Sequence, residues 1–359
     1  MTSNSVATFL SEHFGLTGQQ ISLNPIGNGH INTTMLLKAS QQSLVVQKLN
    51  TDVFPEPEQL VNNARLIEHH LTDKHHAGDY DLAIIRHVRT VNDNFLVNCE
   101  HGVWRALEFI GGSYSEDVVA NIAQAQTAAN AFGKFALALQ DFDAKQLHSV
   151  IPHFHDLAMR AEKFKAVLQH DPVNRLAQCQ VDVDFCLSQF DLIDELSALD
   201  GNIPLRACHN DTKINNMLFC SHSGNAKAVI DLDTCMPGYW LFDFGDMVRT
   251  FCSPEQEDST NLANVRVREE IFAAIVKGYV APLQHVITEQ EKQSFWLGAK
   301  VMPFMIGLRF LTDFIDGDHY FATKHANHNL QRAQNQFALY KDILRKETTL
   351  KTILNINTL

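Results

Sequence analysis

The first third of the chain alternates apolar and polar positions with the period of two expected of half-buried strands. The clearest runs cover residues 21–25, 31–39 and 43–49, with weaker ones at 82–88, 94–98 and 103–108. Two stretches break the alternation. Residues 5–14 put Val6, Phe9, Leu10 and Phe14 on one helical face, and residues 57–70 read as a second helix. Glycines punctuate this region, with Gly27-Asn28-Gly29 between the first two strands and Gly111-Gly112 after the last. The pattern then becomes helical over 118–140, 153–168, 174–199, 241–251, 265–280, 289–314 and 327–344, interrupted by a short strand pair within 204–231. The expected class is α+β in two lobes. Residues 1–110 would form a small antiparallel-sheet lobe and residues 111–359 a larger, mainly helical one, with a hinge at 108–113 and a cleft between.

Length supports two cores, since 359 residues exceed what one small core organises. Charge narrows the partners. The balance of 29 Lys and Arg against 41 Asp and Glu is −12, with no basic block. That argues against nucleic acid and anionic membrane surfaces, both of which need clustered cations. The N-terminus lacks the basic start and apolar run of a signal peptide, and the greasiest stretch, 301–311, is too short to span a bilayer. Seven cysteines, odd in number and without Cys-x-x-Cys, read as reduced thiols of a cytoplasmic protein. The histidines at 69–70, 75–76, 153 and 155 lack further ligands for a zinc site and read as solvated helix ends and loops. Oligomeric state is not legible.

The chemistry concentrates in His209-Asn210-Asp211-Thr212-Lys213-Ile214-Asn215-Asn216, between two short strands. The second strand turns at 221–225 and returns to end at Ile230, so a hairpin would bring Asp231 beside Asn216. Two hard oxygen ligands meeting at one point suit Mg2+ with substrate phosphates. Asp211 lies close enough on the same loop to orient a hydroxyl and take its proton. Lys213 is placed to meet charge on a phosphoryl group. These are the parts that phosphoryl transfer requires, because it depends on positioning and charge neutralisation.

Here the chain resembles known families. His-x-Asp-x-Lys-x-x-Asn (209–216) is similar to the protein-kinase catalytic loop, with Asn210 where those enzymes carry arginine. That resemblance makes His209 a structural member of the loop and implies no activation-loop phosphate switch. Asp231-Leu232-Asp233 resembles the metal-binding motif of aminoglycoside and choline kinases, which adds Asp233 to the metal set. A literal Asp243-Phe244-Gly245 follows a Pro-Gly turn and opens a helix, so it reads as a decoy. In that family a later Asp such as Asp243 braces the catalytic loop. The short stretch between Asp231 and Asp243 leaves no room for a protein-docking loop, which favours a small acceptor.

Upstream, Val45-Val46-Gln47-Lys48 aligns with the Val-Ala-Ile-Lys strand of kinases. By period two, Val46 and Lys48 share a face, one toward adenine and one toward the α- and β-phosphates. Gly27, Asn28 and Gly29 would cover the phosphates, although a plain hairpin turn is the competing reading. Glu108 and Ile110 at the hinge complete the nucleotide set. Glu58 and Glu68 are both candidate partners for Lys48.

Longer strings narrow the resemblance. Gly-Asn-Gly-His-Ile-Asn (27–32), Gln-Lys-Leu-Asn-Thr-Asp-Val-Phe-Pro (47–55), Trp104-Arg105, Ile-Asp-Leu-Asp-Thr-x-Met-Pro-Gly (230–238), Gly-Leu-Arg-Phe-Leu-Thr-Asp (307–313) and Gly-Asp-x-Tyr-Phe (317–321) together resemble N-acetylhexosamine 1-kinases. This implies an ATP-dependent transfer to the anomeric hydroxyl of an amino sugar. His30, Arg309 and Tyr320 would contact the sugar, and Asp246 and Arg249 are candidates for the same pocket. Arg309 could instead be a buried cation paired with Asp313 on its own helix, and Tyr320 could be core. A second reading keeps the kinase but takes a cationic or homoserine-like acceptor (aminoglycoside or choline), using acid from Asp313, Asp316 and Asp318. A third is a nucleotide-binding pseudokinase.

Overall fold

The computed structural model describes residues 3–27 and 31–355. Asn28, Gly29 and His30, expected at the phosphates and the sugar, lie outside the described residues. The chain gathers into two compact units. One comprises Met1–Ser115, Asp143–Pro152 and Leu218–Met236, the other Glu116–Phe142, His153–Met217 and Pro237–Leu359. The first unit runs a few residues past the expected hinge and takes in two later segments.

In the first unit, α1 (Ser3–His13) precedes an antiparallel sheet of β1 (Ile21–Pro25), β2 (Thr33–Ala39) and β3 (Ser43–Lys48), and α2 (Pro57–Ala77) follows. The sheet is completed by β4 (His87–Val88), β5 (Val97–Cys99) and β6 (Gly102–Glu108), in the order β1-β2-β3-β6-β4 with β5 on β6. Leu37, Leu44, Val46, Trp104 and Ala106 face Leu10 and Phe14 of α1 and form one core. Each such side chain contributes about 1.5–3 kcal/mol by leaving water.

Two expectations shift. Residues 82–88 pair as a strand only at His87 and Val88. Ala83 instead donates its N–H to the Lys227 carbonyl at 2.8 Å. Lys227 belongs to a smaller sheet of β7 (Ser113–Tyr114), β8 (Met217–Cys220) and β9 (Ala226–Val229). The helix expected over 57–70 runs on to Ala77, because Leu71 is still buried and Gly78, left-handed at φ 82°, caps its end.

The second unit holds α3 (Ile122–Ala138), α4 (Leu157–His170), α5 (Gln180–Ser188), α6 (Asp191–Ser197), α7 (Trp240–Phe251), α8 (Glu269–Leu283), α9 (Glu289–Asp316), α10 (His328–Arg345) and α11 (Glu347–Ile353). The segment expected as one helix over 174–199 is broken between α5 and α6. Phe185 and Phe190 both meet Phe304 edge-on, at 6.4 and 6.5 Å. In one straight helix, residues five apart would point roughly 140° from each other.

The 28-residue α9 is the axis of this unit. Among the described residues it is the one helix long and apolar enough to cross a bilayer, yet that apolar window is wholly buried inside the protein. Thr288 and Glu291 form a capping box at its start. α7 crosses it at contact distance because neither helix carries a side chain there. A Cβ on Gly245 would overlap the Gly298 carbonyl, and one on Gly298 would overlap that of Leu241.

Gly298→Ala should therefore cost ~1–3 kcal/mol or more by forcing the helices apart. Thermal unfolding checks this, and an unchanged melting temperature would contradict the close crossing.

Candidate active site

In the second unit the loop after the strand Arg206–Cys208 is organised by one carboxylate at the start of α7. Asp243, 2% exposed, accepts the backbone N–H of His209 at 3.1 Å and that of Asn210 at 2.7 Å. Its carbonyl accepts the Thr212 hydroxyl at 2.6 Å. Asn210 is left-handed at φ 64°, a conformation that Asn tolerates better than most residues. The His209 ring, buried edge-on against Phe132 and Phe135, accepts the Asp211 N–H on Nδ1 at 3.3 Å.

This arrangement turns Asp211 out of the buried part of the loop. Asn216 Nδ2 donates to both the Asp211 carbonyl and Oδ2, each at 2.8 Å. Lys213 Nζ stands 3.1 Å from Oδ2. Burial pushes the Asp211 carboxyl up, but Lys213, His209 and Arg249 outweigh it and hold it below the ordinary carboxylate range. Burial likewise pulls the Lys213 amine down, and Asp211 and Asp246 more than restore its charge. Burial drives Asp243 the other way, up to about 6, against the pull of His209 and its two amide donors. The fit to a hard cation is direct. With its nitrogen committed to Asp211, the Asn216 side chain has its oxygen to present to Mg2+.

In the first unit, Asp231 is left-handed, at φ 61° and ψ 63°, and opens a 3-10 turn, Leu232–Thr234. Its carboxylate is the second oxygen donor of the expected metal set. Asp233 is different. Arg105 Nη2 lies 2.6 Å from its Oδ1, and Asn32 Nδ2 donates to its Oδ2 at 2.7 Å. Oδ2 is thus hydrogen-bonded and Oδ1 is ion-paired without a hydrogen bond, contacts that brace Asp233 against the sheet.

Val46 and Lys48 do share a face, but it is the face packed on α1. Val46 is fully buried in that core, and the exposed Lys48 lies along Gly102, where a Cβ would come within 2.6 Å of its Cε. Val46, expected at adenine, thus has no surface left for a ligand, and Lys48 lies on the α1 side of the strand. Gln47 and Arg105, directly opposite each other, occupy the other face. Of the two candidate partners of Lys48, Glu68 is engaged elsewhere, its Oε2 accepting both the N–H and Nδ1 of His87, at 3.1 and 2.9 Å. Gly27 is left-handed at φ 71°. Glu108, exposed at the end of β6, donates its N–H to Arg86, and the Ile110 carbonyl accepts the Ser113 hydroxyl.

Arg309, on α9, is 9% exposed and has no ion-pair partner among the described residues. It reaches the Tyr320 hydroxyl at 3.4 Å, and its guanidinium lies 5.4–5.5 Å from the rings of Phe154, Tyr320 and Phe321. The pairing with Asp313 considered from sequence does not occur. Asp313 accepts the N–H groups of His319, Tyr320 and Phe321 at 2.8–3.0 Å and so sets the turn that carries Tyr320. Tyr320 is exposed at 45%, so it is not core. Asp246 and Arg249 pair with each other at 2.9 Å, and Arg249 also meets Glu257, which binds Arg332 at 2.9 Å. Both are buried, which suits a brace under Lys213 better than a surface for substrate.

Sequence reasoning missed Gln47, Arg105, Glu257 and His155. His155 lies between Phe154 and Phe242, with ring centroids at 4.5 and 4.6 Å. Burial, with Arg309 and Arg160 nearby, pushes it down to about 3, so it is neutral at physiological pH. Gln47 and Arg105 entered only as members of resemblance strings, and the alternation of β3, read with the other phase, was the physical signal for Gln47.

The family model described as the phosphotransferase enzyme family matches residues 22–278. Among solved structures the chain is similar to an aminoglycoside phosphotransferase from Alicyclobacillus acidocaldarius, at 14% identity and a TM-score of 0.59, covering 96% of this chain and 95% of that one. It is similar to a Plasmodium vivax ethanolamine kinase at 15% identity and a TM-score of 0.59, covering 92% and 86%. It is also similar to a spectinomycin phosphotransferase in complex with ADP and spectinomycin, at 13% identity and a TM-score of 0.54, covering 99% and 98%. These likenesses carry the fold, which is the kinase-like α+β plan of an antiparallel-sheet N-terminal lobe and a larger helical part.

Asp243 supplies a test of the loop's electrostatics. Its folded-state value is raised, so the stability it contributes is complete below about pH 4 and is lost as pH rises through about 6. The stability difference between the wild type and Asp243→Asn should therefore shrink by up to ~3 kcal/mol across that window. Chemical denaturation at a series of pH values measures it, and a pH-independent difference would contradict the raised value.

Proposed function

The chain belongs to the phosphotransferase enzyme family, and from that membership we propose that it transfers the γ-phosphoryl group of ATP to a hydroxyl of a small, uncharged acceptor. The observation that carries this reading is the clamped Asp211, held ionised by Lys213 and fixed by the Asn216 amide, which donates to both its backbone carbonyl and its carboxylate. A carboxylate so held can accept the acceptor's hydroxyl proton as transfer proceeds, and it keeps that oxygen aimed along one line. Lys213 supplies a fixed cation for charge on the phosphoryl oxygens. Asn216 and Asp231 are the residues that would hold Mg2+, and the ion, when bound, neutralises charge on the triphosphate. The direct route needs no phosphorylated side chain.

The acceptor follows from charge. The three carboxylates considered for a cationic acceptor already have partners. Asp313 holds a backbone turn, Asp318 pairs with Arg175, and Asp316 lies 3.8 Å from Lys163. The buried guanidinium of Arg309, without an ion-pair partner among the described residues, disfavours a second cation and offers donors to hydroxyl or carbonyl oxygens. Choline, ethanolamine and aminoglycosides fit this poorly. An N-acetylhexosamine phosphorylated at its anomeric carbon fits it, and agrees with the sequence strings that resemble N-acetylhexosamine 1-kinases.

Asp211→Asn should remain folded and bind ADP within a few-fold of wild type while turnover falls by at least ~10³. An ADP-release screen over N-acetylhexosamines, choline, ethanolamine and aminoglycosides, with phosphorus NMR on the product, tests the acceptor. Anomeric phosphate is expected. A preference for the cationic alcohols would overturn the acceptor assignment, and near-normal turnover of Asp211→Asn would overturn the mechanism.

A further inference from the structure

Gln47 and Arg105 are a directly opposed pair on β3 and β6, on the sheet face turned away from α1. Arg105 is 2% exposed, and a cation so buried persists only where its hydrogen-bonding capacity is met. Gln47 Oε1 accepts from its Nε at 2.8 Å and from Nη2 at 2.7 Å, which fixes the plane of the guanidinium. The Gln47 amide nitrogen donates in turn to Thr34 Oγ1 at 3.1 Å. So aimed, Nη2 meets Asp233 Oδ1 at 2.6 Å. The other Asp233 oxygen accepts from Asn32, whose own oxygen accepts the Asn50 N–H at 2.9 Å.

The object held by these bonds is the 3-10 turn that begins at Asp231. A non-glycine residue in the left-handed region costs on the order of 1–2 kcal/mol and needs its surroundings to impose it. A second tie arrives from α2, where Asn63 Nδ2 donates to the Cys235 carbonyl at 3.3 Å and to the His148 carbonyl at 2.8 Å. In protein kinases a strand lysine paired with a helix glutamate must be in place for transfer. Here Lys48 lies on the α1 face, Glu68 is spent on His87, and the middle of α2 offers the amide of Asn63.

We propose that Arg105, aimed by Gln47, is the positioning residue of the phosphoryl-transfer centre. It acts through Asp233 to hold Asp231 in the conformation that presents its carboxylate to the metal. The proposal rests on the functional reading above, in which Asp231 is a metal ligand. It predicts that the charge of residue 105 is insufficient and that the forked geometry matters, because lysine cannot bridge Gln47 and Asp233 as a planar guanidinium does.

The test is Mn2+ binding in the presence of ADP, followed by water-proton relaxation, together with kcat and KM for Arg105→Lys and Gln47→Leu. Circular dichroism confirms folding. Arg105→Lys should weaken Mn2+ binding at least tenfold and lower kcat to a similar extent, with the acceptor KM within twofold of wild type. Asp233→Asn should do the same, and the Arg105→Lys/Asp233→Asn pair should lose less than the sum of its single variants. Wild-type Mn2+ affinity in folded Arg105→Lys overturns the proposal. So does a larger loss of Mn2+ affinity in Lys48→Met than in Arg105→Lys. If Arg105→Lys does not fold, Gln47→Leu decides, because it removes the aim and leaves both charges. Failure of the underlying reading looks different, since Asp231→Asn would then bind Mn2+ as the wild type does.

Discussion

The loop from His209 to Asn216 depends on a single buried carboxylate. Asp243 gathers the amides of His209 and Asn210 on its two oxygens, and its backbone receives the Thr212 hydroxyl. Those bonds hold Asn210 in a left-handed conformation. The kink turns the next residue, Asp211, toward Asn216 and Lys213 while His209 stays in the aromatic core between Phe132 and Phe135. Remove that acceptor and two buried N–H groups lose their partner, each at a cost of about 1–3 kcal/mol. Position and charge at Asp211 are therefore set from α7, a helix that itself sits where the paired glycines let it approach α9.

The first unit solves a parallel problem with a different set of groups. Asp231 also adopts a left-handed backbone, and its turn is held by a carboxylate, Asp233, that faces inward to Arg105 and Asn32. In both places the less buried aspartate, half-buried Asp211 or exposed Asp231, is framed by a second, buried one. Burial separates their roles. Asp243 is pushed up to about 6, whereas Asp211 is held below the ordinary range by Lys213, His209 and Arg249 against the same desolvation. A loop carboxylate and the helix carboxylate that holds the loop thus reach opposite protonation tendencies through their neighbours.

Legibility followed the range of the forces involved. The elements of the sheet, α1, α7, α9 and α10 were readable because their burial repeats with a local period, as in Leu10 and Phe14 of α1 or Leu44 and Val46 of β3. The breaks were not. The segment 174–199 keeps helical periodicity across a bend that exists so that Phe185 and Phe190 can both reach Phe304. Residues 82–88 look like a strand and hydrogen-bond mainly elsewhere, because their partner at Lys227 is far away in sequence.

The sequence by itself determined which polar groups fall together: His209, Asp211, Lys213 and Asn216 on one short loop, and Asp243-Phe244-Gly245 at a helix start. Local spacing suffices there because a short loop leaves few ways to arrange those groups. Tertiary structure decided which side of each element counts. Alternation puts Val46 and Lys48 on one face and Gln47 on the other, and only packing against α1 says which face is core. The same holds for charge. Arg309 could have paired with Asp313 four residues on, but a turn of backbone N–H groups claimed that carboxylate and left the guanidinium among aromatic rings. A periodic pattern defines faces without assigning them. The assignment comes from partners distant in the chain.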